Sequence, residues 1–247
     1  MKLNDRVILI TGASSGLGRH AARALAAAGA TTVLLGRNES RLDGVYDDIV
    51  VAGHPQPVIL PFDLAKADDS RFGALAATLE QSLGRLDGIL HSASQFVKLG
   101  KLSQQRLNHW EKAFTTNLFA PFALTRACLP LLEAAPDGAV LFTAEQHGLS
   151  PEVYWGGFGL SQASLIALAR LFAQEHRDDP NLRFNVLIPG PIASPMRHRT
   201  HPGELPECLP NISSLMPHYR YWLGPDSRGR SGEIIRCESD YDPSRKA

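Results

Sequence analysis

The sequence lacks any excess of charge of one sign. Its 247 residues carry 25 Lys and Arg side chains against 25 Asp and Glu, so the formal net charge is zero. Proteins that bind nucleic acid or an anionic membrane surface through their overall charge carry a clear basic excess. We therefore expect neither nucleic acid nor a membrane among the partners of this protein.

Cysteine and long apolar runs are scarce as well. The three cysteines, Cys128, Cys208 and Cys237, are odd in number and far apart, which argues against a disulfide framework. The first residues hold only a four-residue apolar run before a glycine motif, too little for a signal peptide. No apolar run approaches the roughly 18 residues of a membrane span. These absences predict a soluble cytoplasmic protein.

Metal-ligand patterns are nearly absent. The nearest approach is His198 with His201 three residues later and Cys208 seven residues further on. Prolines break this segment, so it is not typical of a preformed zinc site. We predict no metal.

Short apolar runs alternate with helical patterns along the chain. Each run is apolar enough to be buried on both faces, as the strands of parallel sheets are. Repeated strand–helix alternation predicts a doubly wound parallel sheet with right-handed crossovers. The predicted helices include residues 18–28, 75–83, 107–132 and 161–175. The predicted strands are residues 7–10, 32–35, 58–62, 88–90, 139–142, 184–188 and 233–236.

No flexible or charged linker divides the chain, so we expect one domain over residues 1–247. A hydrophobic content of 44% is enough for a sizeable core. The segment 197–211, rich in Pro and His, is predicted to be a mobile loop, and residues 239–247 a polar tail. The expected fold is a single doubly wound Rossmann α/β domain, with about seven parallel strands flanked by helices.

A glycine motif, TGASSGLG, follows the first predicted strand. Glycines at a strand-to-helix turn let the backbone approach a phosphate, which the free N–H groups and the dipole of the helix then bind. The spacing G-x3-G-x-G is one residue longer in its first gap than the ordinary dinucleotide fingerprint. A tight structural turn is the alternative. The predicted contacts are Gly12, Ser14, Ser15, Gly16, Leu17 and Gly18.

The end of the second predicted strand bears on the choice of dinucleotide. NAD-binding folds usually have an acidic residue there, which holds the ribose 2′-hydroxyl group. This chain has Gly36 and Arg37 instead. A guanidinium group can hold a 2′-phosphate, so we predict NADP(H), with NAD(H) and a merely solvated arginine as the alternatives. Asp63 and Leu64 are expected near the adenine.

With these motifs the chain resembles the short-chain dehydrogenases/reductases, from about residue 3 to residue 236. Besides the glycine motif, the resemblance is carried by Asp63 and Leu64, by Asn117 in TTNLFAPFALT, and by Pro189 and Gly190 after the sixth strand. The chain is also similar to a bacterial subgroup of uncharacterised oxidoreductases that share the sequence LLGRN. The resemblance implies NADP(H), hydride transfer between carbonyls and alcohols, and a homodimer or homotetramer. It also implies cofactor contacts from Ser92, Ala93 and Ser194.

The chemistry that the resemblance implies rests on four residues, of which this chain keeps one. In the family a tyrosine transfers the proton, and a lysine four residues later lowers the pKa of that tyrosine. A serine thirteen residues before the tyrosine hydrogen-bonds the substrate oxygen, and an asparagine supports a water relay. The asparagine matches Asn117, whereas the serine, tyrosine and lysine positions hold Glu145, Phe158 and Gln162.

These replacements put ordinary carbonyl reduction in doubt. Phe158 has no proton to give and Gln162 no charge. The loss of a positioned proton donor costs about 10²–10⁴-fold in rate, or roughly 3–5 kcal/mol. An ionised Glu145 about 4 Å from a developing alkoxide would oppose it by about 4 kcal/mol at an effective dielectric constant of about 20. A neutral Glu145 could instead donate a hydrogen bond. His147 and Tyr154 are further candidates for proton transfer.

Three functions remain open from the sequence. The protein could bind NADP(H) without ordinary hydride transfer, as a sensor, partner subunit or scaffold. It could be an active oxidoreductase acting on a small-molecule substrate, with Glu145, His147 or Tyr154 as acid or base. It could also be a lyase or isomerase that uses the same carboxylate and histidines. The intact glycine motif and Ser194 favour the first two.

Overall fold

Seven parallel strands form one sheet in the computed structural model, which describes residues 2–237. The predicted tail at 239–247 lies outside the described residues. The strands are β1 (Val7–Thr11), β2 (Thr31–Gly36), β3 (Val58–Pro61), β4 (Gly88–His91), β5 (Gly138–Thr143), β6 (Leu182–Ile188) and β7 (Ile234–Arg236). Their order in the sheet is β3-β2-β1-β4-β5-β6-β7, so the predicted doubly wound sheet is confirmed.

Helices cover both faces of the sheet. The helices are α1 (Gly16–Ala27), α2 (Glu39–Val51), α3 (Asp69–Leu83), α4 (Leu107–Phe114), α5 (Ala120–Glu133), α6 (Gly156–Glu175), α7 (Pro195–Thr200) and α8 (Met216–Trp222). Leu9 of β1 packs in the cluster that includes α3, α5 and α6, whereas its neighbours Ile8 and Ile10 pack in the cluster with α1, α2 and α8. Side chains on a strand alternate between faces, so both sides of β1 are buried.

The strand order reverses between β1 and β4, which lie side by side with Ile10 opposite Leu90. The chain leaves β1 and β4 toward opposite halves of the sheet, so a crevice opens beyond their carboxyl ends. Ligands of doubly wound proteins bind in such a crevice.

The predicted helix 107–132 is divided by a wide turn. α4 ends at Phe114, a π-helical turn covers Thr115–Phe119, and α5 continues to Glu133. Such turns often occur at functional sites, because the extra residue changes the direction of one side chain. Here the turn contains Asn117, which is buried.

α6 begins at Gly156, five residues before the predicted start at 161, so Phe158 and Gln162 both lie in its first two turns. Among the described residues it is the one helix long and apolar enough to cross a membrane. Just over half of its apolar window is buried inside the protein, and it packs on β6 and α4. A core helix of a globular domain has the same properties.

The segment 197–211 contains regular structure. It begins within α7, includes a short 3₁₀ turn at Pro206–Cys208, and ends at Asn211, which pairs with Ala193 in a parallel bridge. Its mobility stays a prediction.

Candidate functional site

The glycine loop packs tightly against the loop that follows β4. Gly12 has a φ of +69°, and a Cβ placed on it would lie 2.9 Å from Cα of Ala93. A Cβ on Gly18 would lie 2.4 Å from the carbonyl oxygen of Gly12. A larger residue at Gly12 would push the two loops apart, and one at Gly18 would push the helix start away from the glycine loop, so both glycines allow close approach of backbone segments.

The amino terminus of α1 is available to bind an anion. Ser15 is its N-cap residue, and the side chain makes no capping hydrogen bond. The first N–H groups of the helix therefore keep their capacity to donate. Ser14, Ser15, Gly16 and Leu17 line a cavity of about 350 Å³ at this point. A phosphate group fits this donor set.

Arg37 and Asp63 line the end of the cavity beyond β2 and β3. Arg37 is exposed and has no carboxylate partner within residues 2–237. Asp63 accepts a hydrogen bond from the backbone of Ala65 at 3.2 Å and lies 3.7 Å from Lys66. Leu64 is buried beside it. The free guanidinium group is suited to an anion.

The loop after β4 closes the middle of the cavity. The backbone N–H groups of Ser92 and Ala93 both donate to Oγ1 of Thr11 at 3.0 Å, which ties this loop to the end of β1. His91 faces away from the cavity: it is buried, stacks on Phe142 and lies 2.8 Å from Oγ1 of Thr125. Burial lowers the pKa of His91 to about 3, so the ring is neutral.

Asn117 is tied into the backbone around the site. Its Oδ1 accepts from the backbone N–H of Gln95 at 2.7 Å, and its Nδ2 donates to the Gln95 carbonyl and to Oγ of Ser161 at 2.9 Å. Ser161 in turn donates to the carbonyl of Phe158. Asn117 thus connects the β4 loop to the first turn of α6.

Phe158 forms part of an apolar wall. It is 7% exposed and packs edge-on against Phe96, with ring centroids 5.3 Å apart. Trp155 also contacts it, with ring centroids 5.9 Å apart, and Met196 packs against the same cluster. The ring contacts of Phe158 are therefore apolar, and its own side chain presents no polar group to the cavity.

Gln162 is buried one turn further along α6 and also lines the cavity. Its Oε1 accepts a hydrogen bond from the backbone N–H of Glu145 at 3.1 Å. This bond fixes the orientation of the amide, because only the oxygen can accept. The amide nitrogen is thereby left as the donor group of the side chain.

Glu145 and His147 form a hydrogen-bonded pair at the end of β5. Oε2 of Glu145 accepts from the backbone N–H of His147 at 2.7 Å and lies 2.6 Å from its Nδ1. The other ring nitrogen lies 3.4 Å from Glu152, and the ring stacks on Trp155. Glu145 lines the cavity, whereas His147 is buried behind it. The cavity therefore contains a carboxylate that is hydrogen-bonded to an imidazole ring, a combination that can exchange protons with a ligand.

Tyr154 lies just before α6, and the structure does not bring it to the cavity wall. The residue has a φ of +76°, and its side chain is half exposed. Its carbonyl oxygen accepts from the backbone of Gly100. Tyr154 therefore supplies no group to the lining of the cavity.

The turn after β6 closes the cavity on its remaining side. Pro189, Gly190 and Ser194 line it, and Ser194 caps α7 by accepting from the backbone N–H of Arg197 at 3.1 Å. Its hydroxyl proton stays available for donation. Gly190 has a φ of +71°, which its turn requires.

One cavity therefore brings together most of the residues singled out in the sequence. Gly18, Asn117, His147 and Tyr154 do not line it. Trp155, Arg197 and Arg199 also line the cavity, with Phe96 packed behind them, and the sequence analysis did not assign these four residues to the site. Their motifs carry no signal for it, because only the fold brings the β4 loop and α7 to the start of α6. The predicted residues that line the cavity are Gly12, Ser14, Ser15, Gly16, Leu17, Arg37, Asp63, Leu64, Ser92, Ala93, Glu145, Phe158, Gln162, Pro189, Gly190 and Ser194.

Comparison with known proteins agrees with this geometry. The short chain dehydrogenase family matches residues 6–205. The uncharacterized oxidoreductase YciK of Escherichia coli (strain K12) is 35% identical over 99% of this chain and 94% of its own length. Two solved structures have TM-scores of 0.92. One, a short chain dehydrogenase from Escherichia coli CFT073 complexed with NADPH, is 34% identical and covers 97% of this chain and 98% of its own.

The other solved structure is a short chain dehydrogenase from Shigella flexneri 2a complexed with NADP. It is 35% identical and covers 95% of this chain and 97% of its own. The family match spans most of the chain, and the strand order and the glycine loop agree with it. The chain belongs to the short-chain dehydrogenase/reductase family of oxidoreductases.

Proposed function

We propose that this protein binds NADP(H) and does not use the proton-transfer residues by which its family ordinarily reduces carbonyls. The observation that carries the proposal is the composition of the cavity at the carboxyl ends of the strands. One end has an uncapped helix terminus and a free arginine, and the other end has Phe158 and Gln162 in the first two turns of α6.

The residues at the first end suit a phosphorylated dinucleotide. The pyrophosphate would bind at the amino terminus of α1, and the 2′-phosphate would bind Arg37. At the other end, the amide nitrogen of Gln162 and the hydroxyl of Ser194 can donate hydrogen bonds to the nicotinamide half. When bound, the cofactor supplies or takes up hydride. NADP and NADPH are bound in the two solved relatives.

The residues at the second end do not suit ordinary carbonyl reduction. Phe158 packs against the rings of Phe96 and Trp155, and its own side chain cannot donate a proton. Gln162 carries no charge that could assist a neighbouring acid. Without these groups, simple aldehydes and ketones should be reduced slowly, since a positioned proton donor contributes about 10²–10⁴-fold to the rate.

Calorimetric titration with NADPH and NADH tests the cofactor assignment. We expect NADPH to bind more tightly than NADH, by about tenfold or more, because Arg37 pairs with the 2′-phosphate. Arg37→Ala should lose the preference while keeping its affinity for NADH. Arg41→Ala, an exposed arginine on the neighbouring helix α2, is the matched control. Equal affinities in the wild type, or a preference that survives Arg37→Ala, would remove the assignment.

The Glu145–His147 pair favours a second candidate, an oxidoreductase with a different acid–base group. Glu145 lines the cavity and His147 is fixed against it at 2.6 Å. The experiment that separates the two candidates is NADPH oxidation with a panel of aldehydes and ketones near neutral pH. We expect no appreciable turnover by the wild type. Turnover that is lost in Glu145→Gln and His147→Phe would establish the second candidate instead.

A further inference from the structure

Two of the charged side chains that line the cavity have no ionisable partner in residues 2–237. Five lining residues are charged: Arg37, Asp63, Glu145, Arg197 and Arg199. Asp63 has Lys66 beside it, and Glu145 is hydrogen-bonded to the backbone and ring of His147. Arg197 forms a bidentate ion pair with Glu204, with N–O distances of 2.5 and 2.6 Å. Within residues 2–237, Arg37 and Arg199 have no carboxylate partner.

These two arginines lie at different ends of the cavity. Arg37 follows β2, at the end that suits the adenosine half of the cofactor. Arg199 lies on α7 and reaches the β4 loop, where its Nη2 donates to the carbonyl of Phe96 at 2.8 Å. Phe96 is the ring that packs edge-on against Phe158. The second free cation therefore lies next to the wall at which a substrate would meet the cofactor.

Arg199 keeps most of its capacity to bind an anion. A guanidinium group has five N–H donors, and the carbonyl of Phe96 occupies one of them without neutralising the charge. The guanidinium carbon lies 5.2 Å from the centroid of the Phe96 ring, which holds the plane of the group in place. An arginine positioned in this way is suited to a carboxylate or phosphate, which its planar fork can bind through two hydrogen bonds.

Beside this charge lies an apolar surface that suits the body of a ligand. Phe96, Trp155 and Phe158 form a buried cluster, against which Met196 packs. We propose that this end of the cavity selects an organic anion, with its apolar body against Phe158 and its carboxylate or phosphate on Arg199. The proposal rests on the proposed function, since it assigns the substrate or effector class of the same site.

Binding of three matched probes tests the proposal without requiring turnover. The probes are phenylpyruvate, phenyl phosphate and the neutral ketone 1-phenyl-2-propanone. Each is titrated calorimetrically into the protein saturated with NADPH, and again into the protein alone. We expect at least one anion to bind the wild type about tenfold or more tightly than the neutral ketone. The two anions distinguish a carboxylate from a phosphate as the source of the charge.

Variants at Arg199 distinguish a role in anion binding from a structural role in holding α7 against the β4 loop. Arg199→Gln should lose the preference for the anion and leave the neutral ketone and NADPH unaffected. Arg199→Lys should retain part of the preference, because the charge remains but the planar fork does not. Arg177→Gln, an exposed arginine beyond the far end of α6, controls for net charge.

Two results would overturn the proposal. The first is a wild type that binds no anion better than the ketone at millimolar concentration. The second is an Arg199→Gln protein whose affinities for the anion and the ketone fall equally. That result would show that Arg199 only holds α7 against the β4 loop. The titrations without NADPH keep the two proposals separate. If the protein fails to bind NADPH, the proposed function is contradicted, and anion binding to Arg199 can still be measured in the protein alone.

Discussion

At the scale of single residues, Phe158 and Gln162 differ in how they are held. Phe158 is fixed by ring contacts to Phe96 and Trp155. A tyrosine at this position would add a single hydroxyl to an otherwise apolar contact surface. Gln162 is fixed by a hydrogen bond from the Glu145 backbone, which a lysine could not accept. The three altered positions are therefore coupled, and we expect no single replacement to restore the family's chemistry.

Restoring all three positions together should create carbonyl reduction. In Glu145→Ser, Phe158→Tyr, Gln162→Lys, the tyrosine can transfer a proton, the lysine supplies charge, and the carboxylate opposing the oxyanion is gone. We expect NADPH-dependent reduction of simple ketones to rise by about 10²-fold or more over the wild type.

The measurement is the decrease in NADPH absorbance with a ketone panel, and the control is the double variant that leaves Phe158 in place. A triple variant that binds NADPH normally but stays inactive would show that the site lacks more than its proton-transfer residues. Equal activity in the double variant would show that the tyrosine is not the proton donor.

At the scale of secondary-structure elements, the sequence predicts the strands well, but it does not predict α2 or the first turn of α6. Runs such as residues 7–10 are buried on both faces, and that pattern is visible in the sequence. Helix α2 was not among the predicted helices because its apolar stripe is narrow: Leu42, Val45 and Ile49 are its buried residues, and charged residues occupy much of the rest. The start of α6 was missed because the glycines at its amino end resemble a loop.

The candidate site shows the same division. The glycine motif and Arg37 are adjacent to strands in the sequence, so their place at one cavity follows from the parallel sheet alone. Arg199 and Phe96 are 103 residues apart. Their contact depends on how α7 folds back over the β4 loop, and no local pattern encodes that path.

α5, the last residue of the π-helical turn before it, and α6 carry an exposed apolar face that indicates association of two copies. Phe119, Phe122, Leu160 and Leu171 are between 41% and 57% exposed, and Phe122 stacks on Phe172 across the two helices. A symmetric interface would bury this face. We expect light scattering to give a homodimer or a homotetramer at micromolar concentration.

Charged substitutions on this face test the interface. Phe119→Asp combined with Leu171→Asp should shift the protein toward the monomer, because each places a charge where an apolar surface would be buried. Val51→Asp is the control, since Val51 is an exposed apolar residue at the end of α2. A monomeric wild type, or a double variant with unchanged mass, would contradict the prediction.

At the scale of the whole molecule, a buried ion cluster lies at the end of the sheet opposite the cavity. Asp137, just before β5, pairs with Arg6, before β1, and with Arg183 of β6. Arg183 also donates to the carbonyl of Gly224 at 2.7 Å, which ties the segment after α8 to the sheet. Arg228 adds a third cation at the edge. The cluster holds three strands and the carboxyl-terminal part of the chain together.

Removing the central charge should destabilise the protein without disturbing the cavity. Asp137→Asn leaves Arg6 and Arg183 buried without a carboxylate, which typically costs about 3–5 kcal/mol of the free energy of unfolding. Asp178→Asn, at an exposed ion pair with Arg177, should cost less than about 1 kcal/mol. Urea unfolding near neutral pH measures both, and NADPH titration checks the cavity. A loss for Asp137→Asn no larger than that of the control would contradict this role.

The dependence of stability on acid should reflect the same cluster. Burial acts to raise the pKa of Asp137, but the hydrogen bonds and charges of Arg183 and Arg6 outweigh it, so the pKa lies below its usual value. Such a carboxyl group stabilises the fold above its unfolded pKa of about 4, and that contribution is lost as the pH falls through the folded pKa. We therefore expect the free energy of unfolding of the wild type to fall below about pH 4 more steeply than that of Asp137→Asn, which has no carboxylate to protonate. Parallel curves for the two proteins would show that other carboxyl groups dominate the acid transition.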